Sequence, residues 1–129
     1  RGATETLWRW QLPRDEKLKV HIDEKNNAFV MDYGDATMRA TFLSPKNVKL
    51  ELAQGKRAYK IKAGSKGGQM TTRDVNAMHA TGGDDYFVVF TVQRNDAPKV
   101  TVRGDGLKAT AAVGKQTVKF DGERILIGP

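Results

Sequence analysis

Strict alternation of apolar and polar residues is the feature that most limits what this chain can fold into. In one stretch Leu18, Val20 and Ile22 alternate with Lys19 and His21. A period of two puts successive side chains on opposite faces of an extended strand, whereas a helix needs a period of about 3.6 residues. The pattern predicts half-buried antiparallel strands, with one face in a core and one in water. The same alternation recurs at residues 38–42, 48–52 and 59–62.

Short segments rich in Gly, Asn, Asp and Pro separate these stretches. Such residues supply the positive or fixed φ that tight turns require. Their spacing predicts an all-β fold, an antiparallel β-sandwich of roughly eleven or twelve short strands with no helix of useful length. A Gly-rich loop is predicted over residues 63–74. Turns are predicted at residues 24–27, 33–35, 44–47, 53–56, 94–98, 103–106, 113–115 and 121–123.

Two stretches give more specific expectations. Residues 86–92 (YFVVFTV) are apolar on both faces, which predicts a central strand covered on both sides. Residues 31–45 (MDYGDATMRATFLSP) predict a hairpin that turns at Gly34–Asp35 and ends at Ser44-Pro45, because proline cannot donate to a sheet ladder. In this hairpin Met38, Ala40 and Phe42 should face inward, and Thr37, Arg39 and Thr41 outward.

Length and composition bound the architecture. The chain has 129 residues, which suits one domain with a real core, so residues 1–129 are predicted to form a single β-sandwich domain. The absence of cysteine excludes disulfides, thiolate nucleophiles and cysteine-ligated zinc. No apolar run reaches the length of a membrane-spanning helix, so no membrane association is predicted.

The charge is basic and unevenly distributed. The formal net charge is +7, which favours anionic partners such as acidic polysaccharide, anionic lipid or nucleic acid. Nucleic acid is not the predicted partner, because the aromatic residues fall mainly on apolar faces and no recognised binding motif occurs. The excess charge concentrates between residues 46 and 66, which contain Lys46, Lys49, Lys56, Arg57, Lys60, Lys62 and Lys66 against Glu51 alone. This run is either a set of solvated strand faces or an anion-binding face.

The sequence shows no set of residues arranged for catalysis. His21 and His79 are the only histidines, and neither belongs to a metal-ligand motif. Tyr33, Tyr59 and Tyr86 could donate protons, but no base adjoins them in the sequence. We therefore predict no catalytic residue, no metal and no cofactor for this chain.

Three glycine-containing segments have simpler structural interpretations. Asp84 and Asp85 follow Gly82–Gly83 and predict a hairpin turn rather than a calcium loop, since they lack an alternating ladder of oxygen ligands. The segment RGDG at residues 103–106 predicts a turn between strands, and no helix follows GSKGG at residues 64–68 as a phosphate loop would require.

Trp8 and Trp10 stand two residues apart and therefore share one face of a strand. Buried, they would anchor a sheet or contact a neighbouring domain through their large apolar area. Exposed, they would stack on sugar rings. The first interpretation is favoured, and the second stays open.

The order of these motifs resembles the C-terminal β-sheet domain of heparinase II/III-like polysaccharide lyases. Three stretches carry the resemblance: WRWQLP at residues 8–13, YGDATMRATFLSPKNVKLEL at residues 33–52 and MHATGGDDYFVVFTVQRNDAP at residues 78–98. The resemblance implies a periplasmic or secreted multidomain enzyme that cleaves uronic-acid polysaccharides by β-elimination. It also implies that a helical catalytic toroid precedes the β-sandwich and carries the catalytic residues.

The resemblance implies that this chain is a non-catalytic C-terminal part of such a lyase. Its partners would be the N-terminal helical catalytic domain of the same protein and an acidic polysaccharide. The alternative is a free-standing carbohydrate-binding module for anionic glycans. The candidate glycan-binding residues are Trp8, Trp10, Lys56, Arg57 and Lys60.

Overall fold

The computed structural model describes residues 6–13, 15–61, 69–94 and 98–129, with the backbone alone at residues 55–61 and 69–75. These residues form eleven strands, all paired antiparallel, and two short 3-10 helices, so the all-β prediction is confirmed. No helix among them is long and apolar enough to cross a membrane. The strands are β1 Trp8–Leu12, β2 Leu18–Asp23, β3 Ala28–Tyr33, β4 Ala36–Ser44, β5 Lys49–Ile61, β6 Gln69–Thr81, β7 Phe87–Arg94, β8 Val100–Arg103, β9 Thr110–Val113, β10 Gln116–Phe120 and β11 Ile125–Gly128; the 3-10 helices are Glu24–Asn26 and Gly106–Lys108.

The strands form three sheets that stack in layers. The first sheet has the order β1-β6-β5, the second β2-β3-β4-β7 and the third β11-β10-β9-β8. The second sheet lies in the middle because each of its faces contributes to a separate core. One core joins Phe29 and Phe42 to Met78 of the first sheet. The other joins Leu43 and Phe87 to Ala111 and other residues of the third sheet.

Two hairpins turn on a glycine at the first position of a two-residue loop. Tyr33 pairs with Ala36 across Gly34 and Asp35, and Gly34 has φ of +62°. Val113 pairs with Gln116 in the same way across Gly114, which has φ of +60°. A positive φ at this position suits the twist of antiparallel strands, and glycine adopts it without steric cost. Both turns were predicted from the sequence and are confirmed.

The inward face of β4 is confirmed, but its opposite face is not solvated as predicted. Ala40 and Phe42 are 0% and 2% exposed and lie in the first core. Thr37 and Thr41, predicted to face water, are also buried, and Arg39 is mostly covered. This face of the middle sheet contributes to the second core, so its polar residues lie under other elements.

The apolar strand β7 is an edge strand, and its prediction as a central strand was wrong. Among the described strands it pairs with β4 alone. Phe87 and Val89 are buried under the third sheet, whereas Phe90 and Val92 on the other face are 37% and 68% exposed. Only the start of β7 is therefore covered on both faces. Its apolar residues reflect the stacking of layers rather than a central position in a sheet.

Two predictions about the basic region were also wrong. Residues 53–56, predicted as a turn, lie inside β5, where Gly55 pairs with Val75. Of residues 63–74, predicted as loop, 69–74 belong to β6 and 63–68 lie outside the described residues. Strands β5 and β6 run on as a two-stranded ribbon beyond Leu12, where β1 stops pairing with β6. No other described strand pairs with this part of the ribbon, so residues 55–56 and 69–74 need no regular apolar face and their sequence resembles a turn or loop.

The segment containing Asp84 and Asp85 crosses between sheets and is not the predicted hairpin turn. It links β6 of the first sheet to β7 of the second. A Cβ added to Gly83 would lie 2.9 Å from the Cβ of Pro45, which belongs to the connection from β4 to β5. The two crossings therefore lie against each other, and glycine is required by this close approach.

One partly buried ion pair ties β2 to β4. The Arg39 Nη1 donates to Asp23 Oδ2 over 2.8 Å, with side-chain exposures of 12% and 22%. The Asn26 amide donates to the same oxygen over 2.9 Å. The Arg39 hydrogen bond, followed by that of Asn26, lowers the pKa of Asp23 below its usual 3.8, because both stabilise the carboxylate.

We expect this pair to make the chain acid-sensitive. A carboxyl group whose pKa is lower folded than unfolded stabilises the fold above its unfolded pKa, and this contribution is lost as the pH falls through the folded value. Asp23→Asn should cost about 1–2 kcal/mol at neutral pH and flatten the loss of stability below pH 3.8. Urea unfolding measured at several pH values tests this. Asp35→Asn is the control, since Asp35 meets Arg94 at 3.6 Å in solvent. Equal pH slopes for Asp23→Asn and the unmodified chain would contradict the prediction.

Candidate functional site

An apolar cleft of about 470 Å³ lies where β1 meets the middle sheet. Trp10 forms one wall, and residues of β2, β3, β4 and β7 form the floor. We call this feature the Trp10 cleft. Among the described side chains, only Trp10 and Pro13 reach this part of the middle sheet from the first sheet and the connection after β1. The lining residues are Trp10, Pro13, Asp15, Leu18, Met31, Tyr33, Ala36, Thr37, Met38 and Val92.

The cleft exposes large side chains. Trp10 is 38% exposed, Tyr33 48% and Val92 68%. An isolated apolar residue on a surface is ordinary, but a group of them around one concavity is typical of a contact site. The Trp10 cleft is thus the part of the described surface best suited to binding.

The two tryptophans have different environments although they share a face, as predicted. Their rings stack at 6.1 Å with an interplanar angle of 12°. Trp8 continues into the core, where it meets Phe42 edge-on at 5.0 Å. Trp10 contacts Phe90 at 4.8 Å and lies at the rim of the cleft. Trp8 therefore anchors β1, and Trp10 is the one available to a partner.

The polar groups of the cleft are few. The Tyr33 hydroxyl donates to Asp15 Oδ2 over 3.0 Å, and Asp15 Oδ1 accepts from the backbone N–H of Lys17 over 2.9 Å. The hydrogen bond to Asp15, together with its negative charge, raises the pKa of Tyr33. Abstraction of a proton by tyrosine needs the opposite shift, toward the phenolate. Tyr33 is therefore not activated as a base.

The remaining candidates do not assemble into a catalytic site among the described residues. No group of three or more His, Asp or Glu side chains there could hold a metal ion. His21 is exposed on β2. His79 lies on β6 between Arg9 and Glu51 of the neighbouring strands, and its Nε2 has no described hydrogen-bond partner. The Tyr86 hydroxyl donates to the carbonyl of Thr6 over 2.6 Å, so this hydroxyl has a structural role.

The sequence-predicted glycan residues lie in two different places. Trp8 and Trp10 belong to β1 in the first sheet. Lys56, Arg57 and Lys60 have their backbone in β5, opposite Asp74, Arg73 and Met70, but their side chains lie outside the described residues, as does that of Tyr59. Glycan binding by these five residues stays a prediction.

Most cleft residues were missed by sequence reasoning. Leu18 and Met38 were predicted as ordinary core positions, Met31 was given no position, and Tyr33 was set aside as part of a hairpin. Val92 was predicted to be covered, and its exposure follows from the position of β7 at the edge of the middle sheet, which the sequence did not indicate.

Comparison of the chain with protein-family models, with curated proteins and with solved structures gives no match.

Proposed function

We propose that this chain is a non-catalytic β-sandwich domain of a heparinase II/III-like polysaccharide lyase that acts on uronic-acid-containing polysaccharides. Its work is to pack on the helical catalytic domain through the Trp10 cleft and to extend the substrate groove. The resemblance of residues 8–13, 33–52 and 78–98 supports the lyase assignment, and the single observation that supports docking is the exposure of Trp10, Tyr33 and Val92 around one apolar concavity. A periplasmic or secreted location belongs to the same proposal.

The chemistry of the cleft favours a protein partner over a sugar. A bound sugar needs an open aromatic face and several hydrogen-bond partners for its hydroxyl groups. Here Trp10 already contacts Trp8 and Phe90, and the hydroxyl of Tyr33 is engaged by Asp15. The rest of the lining is largely apolar, which suits an apolar side chain from another domain.

A free-standing carbohydrate-binding module is the second candidate. Trp10 and Tyr33 present aromatic surface at one opening, and the Asp15 carboxylate could accept a hydrogen bond from a sugar hydroxyl. This candidate predicts that Trp10 contributes to glycan affinity. The first candidate predicts that it does not.

A lyase assay tests the non-catalytic assignment. The chain alone, incubated with heparan-type and other uronate glycans, should give no unsaturated uronate product by ultraviolet absorbance. The physical reason is that the pKa of Tyr33, the only exposed tyrosine among the described residues, is raised by its hydrogen bond to Asp15, so it is not activated to take a proton. An active lyase on the same substrates is the positive control. Measurable turnover by the chain would overturn the assignment.

The gene provides a separate test of the lyase assignment. The proposal requires the gene that encodes this chain to encode a helical toroid domain as well. A gene that encodes no segment with helical periodicity beside the β-domain would refute the lyase proposal. The carbohydrate-binding module would then be the favoured candidate.

A further inference from the structure

A second concavity, separate from the Trp10 cleft, lies between the middle sheet and the third sheet. Its volume is about 410 Å³. Lys25 of the first 3-10 helix, Lys46 after β4 and Lys99 before β8 surround it. We call it the three-lysine pocket, and we propose that it binds the carboxylate or sulfate group of an acidic sugar.

The charge of the pocket is positive and mostly uncompensated. Asp105 is the one described carboxylate that pairs with these lysines, at 3.0 Å from Lys46 Nζ. Both side chains of that pair are about two-thirds exposed or more, at 69% and 71%, so an incoming anion competes with it at little cost. Neither Lys25 nor Lys99 has an ion-pair partner among the described residues. Ammonium groups that converge on one concavity raise the local concentration of anions.

The backbone around the pocket is held in place by hydrogen bonds between elements. Asn27, in the left-handed conformation with φ of +50°, donates from its side-chain amide to the carbonyl of Lys46. Its own carbonyl accepts from the N–H of Phe42 over 2.8 Å. On the far side Thr91 Oγ1 donates to the carbonyl of Pro98 over 3.3 Å, beside Lys99. These bonds tie the backbone of Lys46, of Asn27 near Lys25 and of Pro98 next to Lys99 to neighbouring elements.

The other lining residues give the pocket a preference beyond charge. Val100 and Val102 add apolar side chains, with Val102 38% exposed, and Thr101 and Asn26 add polar side chains. A sugar ring has an apolar face of C–H groups, and an acidic sugar also carries a charged oxygen group at its edge. The pocket offers a surface for each. Anion binding follows from the lysines alone, whereas the identification of the ligand as a uronate or a sulfated sugar rests on the proposed function.

Charge-matched variants test the site. Lys25→Gln with Lys99→Gln removes two charges from the pocket, and Lys115→Gln with Lys119→Gln removes two exposed charges from the β9–β10 hairpin. Binding is followed by NMR titration with an unsulfated uronate oligosaccharide, a sulfated one and inorganic sulfate. The pocket variant should weaken binding about tenfold, the control far less. The amide signals of Asn26, Asn27 and Thr101 should move most.

The two oligosaccharides decide which anionic group the pocket takes, and either result supports the site. Equal weakening in both variants would overturn it, because the attraction would then come from net charge. Absence of binding to all three probes would overturn it as well. The lyase proposal is tested independently by the gene: an anion site in a gene without a helical domain would leave the pocket standing and the lyase proposal refuted.

Discussion

Phe42→Ala should destabilise the chain by about 3–5 kcal/mol. Phe42 is 2% exposed and stands where three aromatic neighbours meet. Its ring centroid lies 5.0 Å from that of Trp8, 6.2 Å from Phe29 and 6.4 Å from Tyr86. Removal of the ring leaves a cavity that residues on different sheets cannot close together. A loss of this size is a large part of the stability of an ordinary domain.

Thermal and urea unfolding measure this loss. Val92→Ala is the matched control, since Val92 is 68% exposed and should change stability little. Phe42→Asp should prevent folding, because it buries a charge without a partner. A Phe42→Ala variant as stable as Val92→Ala would show that the first core does not depend on the contact between the first and middle sheets.

The sequence allowed the strands to be predicted better than their partners. Alternation such as that of Leu18, Val20 and Ile22 depends only on local geometry, and so do the glycine turns at Gly34 and Gly114. Pairing depends on contacts between distant residues. The apolar run of β7 therefore indicated cover on two faces without showing that the strand lies at a sheet edge.

The candidate site was predictable only in part, because local geometry could be read from the sequence and contacts between distant residues could not. The spacing of Trp8 and Trp10 was enough to place both rings on one face. Which ring enters the core depends on where β1 ends against the middle sheet, and no local pattern contains that information. The pairing of Tyr33 with Asp15 joins residues 18 positions apart in the chain, at one end of the β2–β3 pair, and alternation does not show which side chains meet there. The three-lysine pocket likewise gathers charges from three connections that no sequence window contains.

Trp8→Ala and Trp10→Ala should separate stability from binding. Trp8 packs against the first core, so its truncation should cost about 3 kcal/mol of unfolding free energy. Trp10 is 38% exposed and contacts mainly Trp8 and Phe90, so Trp10→Ala should cost about 1 kcal/mol. Docking affinity should fall more in Trp10→Ala than in Trp8→Ala. An aromatic side chain at the rim of an apolar cleft is typical of a residue that dominates an interface.

The measurement is calorimetric titration of each variant, folded at low temperature, with the helical catalytic domain and with uronate oligosaccharides. Trp10→Ala should weaken docking by about 2 kcal/mol, roughly thirtyfold, and leave oligosaccharide affinity unchanged. Tyr33→Phe is the control within the cleft, since it removes only the hydroxyl that donates to Asp15. Loss of oligosaccharide affinity in Trp10→Ala, with docking intact, would instead assign the Trp10 cleft to sugar stacking, because a partner domain that buries the ring cannot tolerate its removal.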